Sequence, residues 1–197
     1  MSFSSWLRSL MNNTRAIRGR TAGTRRKPVR HRLMLEVLED RVVPTGLAVD
    51  TGASRLLIFD SANGAQTGLV NLPTSSFSAL DTVISPDGKR AYVSDFNNQR
   101  VLSVDLATQA VNPIPVPTHA EDLAITPDGK FLLASDGSGG SSPIAVINTA
   151  TNAVQSFSTG ADNTCIEVTK NGDVLVGVGL NRIERYTLST TAKRIAH

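Results

Sequence analysis

From about residue 46 onward, short runs of Val, Ile and Leu alternate with clusters of Pro, Asp, Asn and Gly. SALDTVIS, RAYVSD, RVLSVD and AVNPIPV are four successive runs of this kind between Ser78 and Val116. Each has the length and β-branched content of a strand, and each is bounded by turn residues. The phrase ISPDGKRAYVSD, Ile84 to Asp95, returns forty-one residues later as ITPDGKFLLASD, Ile125 to Asp136. Its turn appears as Ser85-Pro86-Asp87-Gly88-Lys89, again as Thr126-Pro127-Asp128-Gly129-Lys130, and in worn form as Thr169-Lys170-Asn171-Gly172-Asp173. Proline presets the first turn angle, and glycine accepts the positive φ that a type I turn followed by a bulge needs. A second landmark, Val104 to Thr108, recurs as Ile147 to Thr151. Upstream, an offset of 45 pairs Asp50 with Asp95 and Asp60 with Asp105, which makes four copies.

Four short strands every ~40 to 45 residues is the pattern of a propeller blade. The expected fold is all-β: a partial β-propeller of about three and a half four-stranded antiparallel blades, near residues 46–76, 77–117, 118–159 and 160–197. The first copy lacks its inner strand, and the last has sequence for all four. The loops between second and third strands, and those between blades, share one face of such a fold. That face is expected to collect Asp81, Asp95, Asn97, Asn98, His119, Asp122, Asp136, Asp162 and Asn163 as a ligand-binding surface. Its carboxylates could hold Ca²⁺, which takes six to eight oxygens; the alternative is that they are solvated loop acids or strand-end caps.

Charge separates the chain into two parts. Residues 1–45 hold ten Lys or Arg against three acids, while the remaining 152 hold ten against fourteen. The high overall pI therefore describes residues 1–32, a basic flexible leader, and says little about the repeats. This leader has no apolar stretch of the kind that follows the charged end of a secretory signal. Its aromatic residues, Phe3 and Trp6, lie far from the densest basic cluster, so nucleic-acid binding is not the expected role. In residues 33–45, Leu35, Leu38 and Val42 fall on one face of a short amphipathic helix that Pro44 ends. The apolar runs are too short for a membrane-spanning helix. The single cysteine, Cys165, is expected to be a small buried hydrophobe beside Ile166.

Two resemblances add to this. Leu35, Glu36, Leu38, Glu39, Asp40, Arg41 and Pro44, following an Arg-rich tract, resemble an N-terminal sorting segment of exported and surface proteins in envelope-complex bacteria. That resemblance implies a cell-envelope or extracellular destination by a non-standard signal. The run from Ser85 to Asp95, with Asn97 to Thr108, resembles the Tyr-Val-Thr-Asn (YVTN) β-propeller repeat of bacterial surface-layer and lactonase-like proteins, the YncE-like group. Tyr92 and Val93 keep its first two letters; Ser94 and Asp95 replace the others, and Leu132 to Ser135 keep less. The repeat occurs in enzymes, binding modules and surface structures alike, so it implies an architecture more than an activity.

No Gly-x-Ser-x-Gly elbow, His-Glu-x-x-His pair or phosphate-binding loop occurs. The expected function is an exported or envelope-associated binding or structural module without catalysis, facing a protein or a cell-surface glycan. The alternative is a lactonase-like hydrolase, for which His119, Glu121 and Asp122 would be the candidates. Propellers close with four to eight blades. Three and a half blades would be completed by a second copy, belong to a longer protein, or be capped by the short helix.

Overall fold

A computed structural model describes residues 45–141, 143–179 and 181–188. The expected leader, the short helix and the sorting segment from Leu35 to Pro44 lie outside the described residues, as do His31 and His197. Among the described residues, alternating apolar positions and Gly- or Asp-containing turns produce fourteen strands in four antiparallel sheets, each built from strands consecutive in the chain. The first contains β1 (Thr45–Asp50), β2 (Arg55–Asp60) and β3 (Gln66–Asn71). The second contains β4 (Thr82–Ile84), β5 (Arg90–Asp95), β6 (Arg100–Asp105) and β7 (Val111–Pro115). The third contains β8 (Asp122–Ile125), β9 (Phe131–Ser135), β10 (Ile144–Asn148) and β11 (Val154–Phe157). The fourth contains β12 (Asn163–Val168), β13 (Asp173–Val178) and β14 (Arg182–Thr187).

The register confirms the repeat residue by residue. Ile84 pairs with Ala91, Ile125 with Leu132 and Val168 with Val174, so these positions correspond in the second, third and fourth sheets. Asp50 and Asp60 end β1 and β2, as Asp95 and Asp105 end β5 and β6. β1 therefore corresponds to the second strand of a blade, and among the described residues the first sheet has no inner strand. A fourth strand of the last sheet would fall beyond Leu188, outside the described residues.

Because side chains alternate across a strand, each central sheet buries both faces. Leu102, Val104, Ala91 and Val93 pack with Leu56 and Val70 between the first and second sheets. Tyr92, Val101 and Ile114 meet Leu132, Ala134 and Ile147 between the second and third. Leu133, Ile144 and Val146 meet Val174, Val176 and Tyr186 between the third and fourth. The core is thus three seams between four blades. A fully buried Leu or Ile in a seam contributes about 1.5–3 kcal/mol by removal from water.

At the end faces the same positions are open. Ile183 corresponds to Val101 and Ile144, both fully buried, yet it is 74% exposed. Cys165 is also exposed, contrary to the sequence expectation. It occupies the position of Asp81 and Asp122, whose side chains reach toward the next blade, and the fourth sheet has no described next blade to bury it.

Candidate functional site

The Pro-Asp-Gly turns resolve into local structure. Gly88, Gly129 and Gly172 have φ of 69°, 70° and 84°. Ser85 Oγ donates to Asp87 Oδ1 at 2.6 Å, and Thr126 Oγ1 donates to Asp128 Oδ1 at 2.7 Å. Those hydroxyl contacts, with the Lys89 and Lys130 amides, lower both carboxyls, Asp128 to about 2. Clefts of about 510 and 310 Å³ lie beside these turns, at the second–third and third–fourth seams. Their repetition makes them a consequence of blade geometry.

The opposite ends of the repeated phrases carry more varied chemistry. Asp95 and Asp136 accept the backbone N–H of Ser78 (3.4 Å) and His119 (3.2 Å), residues at equivalent positions in the strands' approach to β4 and β8. Beyond that shared contact the two differ. Asp95 is fully buried and forms an ion pair with Arg100, Nε to Oδ2 at 2.7 Å, and Asn98 Nδ2 donates to both its oxygens. Asp136 is also buried and accepts from Thr118 Oγ1 (3.1 Å), the Ser138 amide (2.9 Å) and the Ser138 hydroxyl. It also faces His119 Nδ1 at 3.3 Å.

His119 lies at the rim between the second and third blades. Its ring stacks on Phe96 with centroids 4.8 Å apart and planes at 27°, and Nε2 is 3.4 Å from Gln99 Nε2. Gln99 reaches this point because the single 3-10 turn Phe96–Asn98 ends with Gln99 in the left-handed region, φ 49°. The His119 side chain is 38% exposed. Beside it, Glu121 Oε2 accepts the Gly137 amide at 2.8 Å; a Cβ at residue 137 would sit 2.8 Å from that oxygen, so a larger residue there would displace the Glu121 carboxylate.

Asp81 and Asp122 form a separate group where the inner strands begin. Asp81 Oδ2 accepts the Leu123 N–H and Asp122 Oδ2 accepts the Ile166 N–H, each at 2.8 Å. Leu123 and Ile166 are equivalent positions, so each aspartate locks its blade to the next by the same bond. Burial raises the Asp122 carboxyl, as does the neighbouring charge of Asp81, against the lowering contact from Ile166 N–H.

The structure therefore brings Asp95, Asn98, His119 and Asp136 to one rim and pairs Asp81 with Asp122. Asn97 is exposed on the same 3-10 turn. Asp162 and Asn163 belong to the fourth sheet, where buried Asn163 accepts from Thr159 Oγ1 at 2.7 Å and the Asp162 carbonyl accepts the Gly179 N–H. Among the described residues no three His, Cys, Asp or Glu side chains gather as a metal site. Arg100 and Gln99 were not anticipated as site residues. Arg100 was findable, since it pairs across the β5–β6 ladder with Asp95; the positive φ of Gln99 has no sequence signal.

Four blades, seams between them and loops gathered at one rim define a β-propeller fold. Solved structures agree. Hydrazine synthase of Kuenenia stuttgartiensis is similar at 18% identity and TM-score 0.64, over 73% of this chain and 42% of that one. A functionally unknown protein of Desulfotomaculum acetoxidans is similar at 17% identity and TM-score 0.64, over 76% and 48%. A putative 6-phosphogluconolactonase of Bacteroides uniformis is similar at 20% identity and TM-score 0.59, over 78% and 49%. The chain spans less than half the length of each of these structures. No protein-family model matches it, and no curated protein does.

Proposed function

We propose that this chain is a propeller interaction module of the Tyr-Val-Thr-Asn repeat type, exported to the cell envelope, which contacts a protein or cell-surface glycan through the rim at His119. The observation that carries this reading is how the strand-end acids are used. Asp81, Asp95, Asp122 and Asp136 each accept backbone N–H groups that hold blades or loops together. The groups left facing outward at the rim are the His119 imidazole, Gln99, Asn97 and Ser138, a surface of donors and acceptors over an aromatic ring. Such a surface suits hydroxyl-rich ligands held by hydrogen bonds and ring contact. The test is a glycan array probed with the full chain beside His119→Ala and Gln99→Ala variants. Binding that both substitutions abolish supports the reading, and binding that ignores both overturns it.

A lactonase-like hydrolase is the second reading, favoured by one observation: the His119 ring is oriented by a buried carboxylate, as a general base requires. Lactone hydrolysis lost in His119→Ala, with and without added Ca²⁺, would establish it in place of the first.

The envelope destination rests on the resemblance of Leu35 to Pro44, and fusion of residues 1–45 to a reporter tests it. Retention of the reporter in the cytoplasm would refute it. The open end faces, with Leu57 and Phe59 half-buried on the first sheet and Ile183 exposed on the last, fit a second copy that completes a ring of eight blades. Light scattering reads this directly, and a monomeric mass would exclude it.

A further inference from the structure

We propose that the cleft between the second and third blades, on the face opposite His119, binds a small zwitterion carrying both an ammonium and a carboxylate: a free α-amino acid or a short peptide. The turns after β4 and β8 form its mouth. Antiparallel order places them at the other end of the strands from the β5–β6 and β9–β10 connections. A Cβ at residue 129 would stand 3.4 Å from Pro86 Cδ, so the two Pro-Asp-Gly turns meet across the seam, with Asp87 and Asp128 beside the contact. The cleft holds about 510 Å³ and is lined by Asp87, Arg90, Tyr92, Asp128 and Thr149 among others. Small-molecule sites use about 300–1,000 Å³.

Both signs of charge stand in this cleft. Asp87 takes the Ser85 hydroxyl and the Lys89 amide through Oδ1, at 2.6 and 3.1 Å, and Oδ2 is the acceptor offered to a ligand ammonium. Asp128 pairs with Lys130 at 3.0 Å, but with side chains 51% and 71% exposed that pair is screened, and the carboxylate still adds to the local field. Arg90 supplies the planar fork of donors that matches a carboxylate. Tyr92 lines the cleft although it is 1% exposed; burial raises its phenol against the pull of the Arg90 charge, so the hydroxyl remains a donor. Thr149 Oγ1 donates to the Gly129 carbonyl at 2.6 Å, and its oxygen remains an acceptor. Blade geometry accounts for the cleft but not for this lining. In the cleft of about 310 Å³ at the next seam, Phe131 stands at the position of Arg90, Leu188 at that of Thr149 and Asn171 at that of Asp128. Asp128 and Lys170 are its charged lining residues, and Leu133 takes the position of Tyr92.

Amide chemical shifts of the full chain, followed while alanine or alanyl-alanine is added at fixed ionic strength, test this. Saturable shifts are expected at Arg90, Gly129 and Thr149, while Asn171 and Gly172 of the next cleft and Gln99 of the rim stay in place. N-acetylalanine lacks the ammonium and alaninamide lacks the carboxylate. Each should bind at least about tenfold more weakly than alanine, the scale of one hydrogen bond to a charged group. Arg90→Leu should weaken alanine by about the same factor, as should Asp87→Asn, which keeps an acceptor for Ser85 and Lys89. Arg90 and Asp87 are both exposed, so neither variant disturbs the core, and unchanged Leu133 and Ala145 amides verify the fold. Tighter binding of alanine identifies a free amino acid as the ligand, and tighter binding of alanyl-alanine identifies a peptide; either supports the site. Equal shifts with all four compounds would be a response to added solute only and overturn the inference. So would the absence of a saturable shift, or binding that survives both substitutions.

Discussion

The second and third blades share strand order and register and diverge at their rim loops. Asp95 ends β5 and Asp136 directly follows the end of β9, at the equivalent position, and they accept the equivalent N–H, from Ser78 and His119. Asp95 then spends its remaining capacity on Arg100 and Asn98, a closed and buried arrangement. Asp136 spends it on Thr118, Ser138 and the edge of an exposed imidazole. The repeat dictates the first hydrogen bond, and the other lone pairs of the carboxylate are free to vary. One blade uses them for stability and the other leaves chemistry at the surface.

Substitutions at the two aspartates probe that difference most strongly. Asp95→Ala leaves the Arg100 guanidinium partly buried without its partner and is expected to cost about 3–5 kcal/mol in chemical denaturation. Asp136→Ala removes an acceptor for the Thr118 and Ser138 hydroxyls and for the His119 and Ser138 amides and should cost about 1–3 kcal/mol. Equal losses would mean that the blades are not differently built. Leu133→Ala, at the position of Tyr92 and fully buried, should cost about 2–5 kcal/mol through the cavity it opens in the third–fourth seam. Ile183→Ala, at a corresponding end-face position, should stay within ~0.5 kcal/mol if that face is open in solution. A large loss would show that a further blade or second copy covers it.

The inter-blade lock gives a pH-dependent contrast. Asp122 has its carboxyl raised by burial and by Asp81, so the folded state holds its proton to higher pH than the unfolded chain does. Stability from this group is present at low pH and is lost as pH rises from 3.8 through the raised value. Asp122→Asn keeps an acceptor for Ile166 N–H and should flatten that part of the profile while holding or raising stability at pH 7. Asp128, lowered to about 2 by Thr126, works in the opposite sense: its contribution is present above 3.8 and is lost as pH falls toward 2. At 51% side-chain exposure it should be a small effect. Smaller still, Gly88→Ala and Gly129→Ala should each cost about 1 kcal/mol, because alanine is strained at their positive φ.

Much of the fold was legible because the repeat writes its register into the chain. Two Pro-Asp-Gly turns, the Asp50–Asp95 and Asp60–Asp105 pairings, and alternating apolar runs located the blades and the strand ends. The rim was legible as a set of acids but not as an arrangement. That Asp95 is closed off and Asp136 is not depends on Arg100 lying across the β5–β6 ladder and on the backbone turn that carries Gln99 to His119. Cys165 was misplaced for a related reason. Its neighbour Ile166 is a core residue, but the position of Cys165 points to a next blade, and only the three-dimensional order of sheets shows that its sheet is the last one described.

Two double-mutant cycles run side by side test the central claim, that one aspartate is structural closure while the other leaves a usable side chain at the rim. The Asp95–Arg100 cycle should return a coupling above about 1.5 kcal/mol, as expected for a buried charge-assisted pair. The Asp136–His119 cycle should return less than about 0.5 kcal/mol, since the His119 contact is long and its side chain faces solvent. Strong coupling at Asp136–His119, comparable to that at Asp95–Arg100, would contradict the account by making His119 part of the frame.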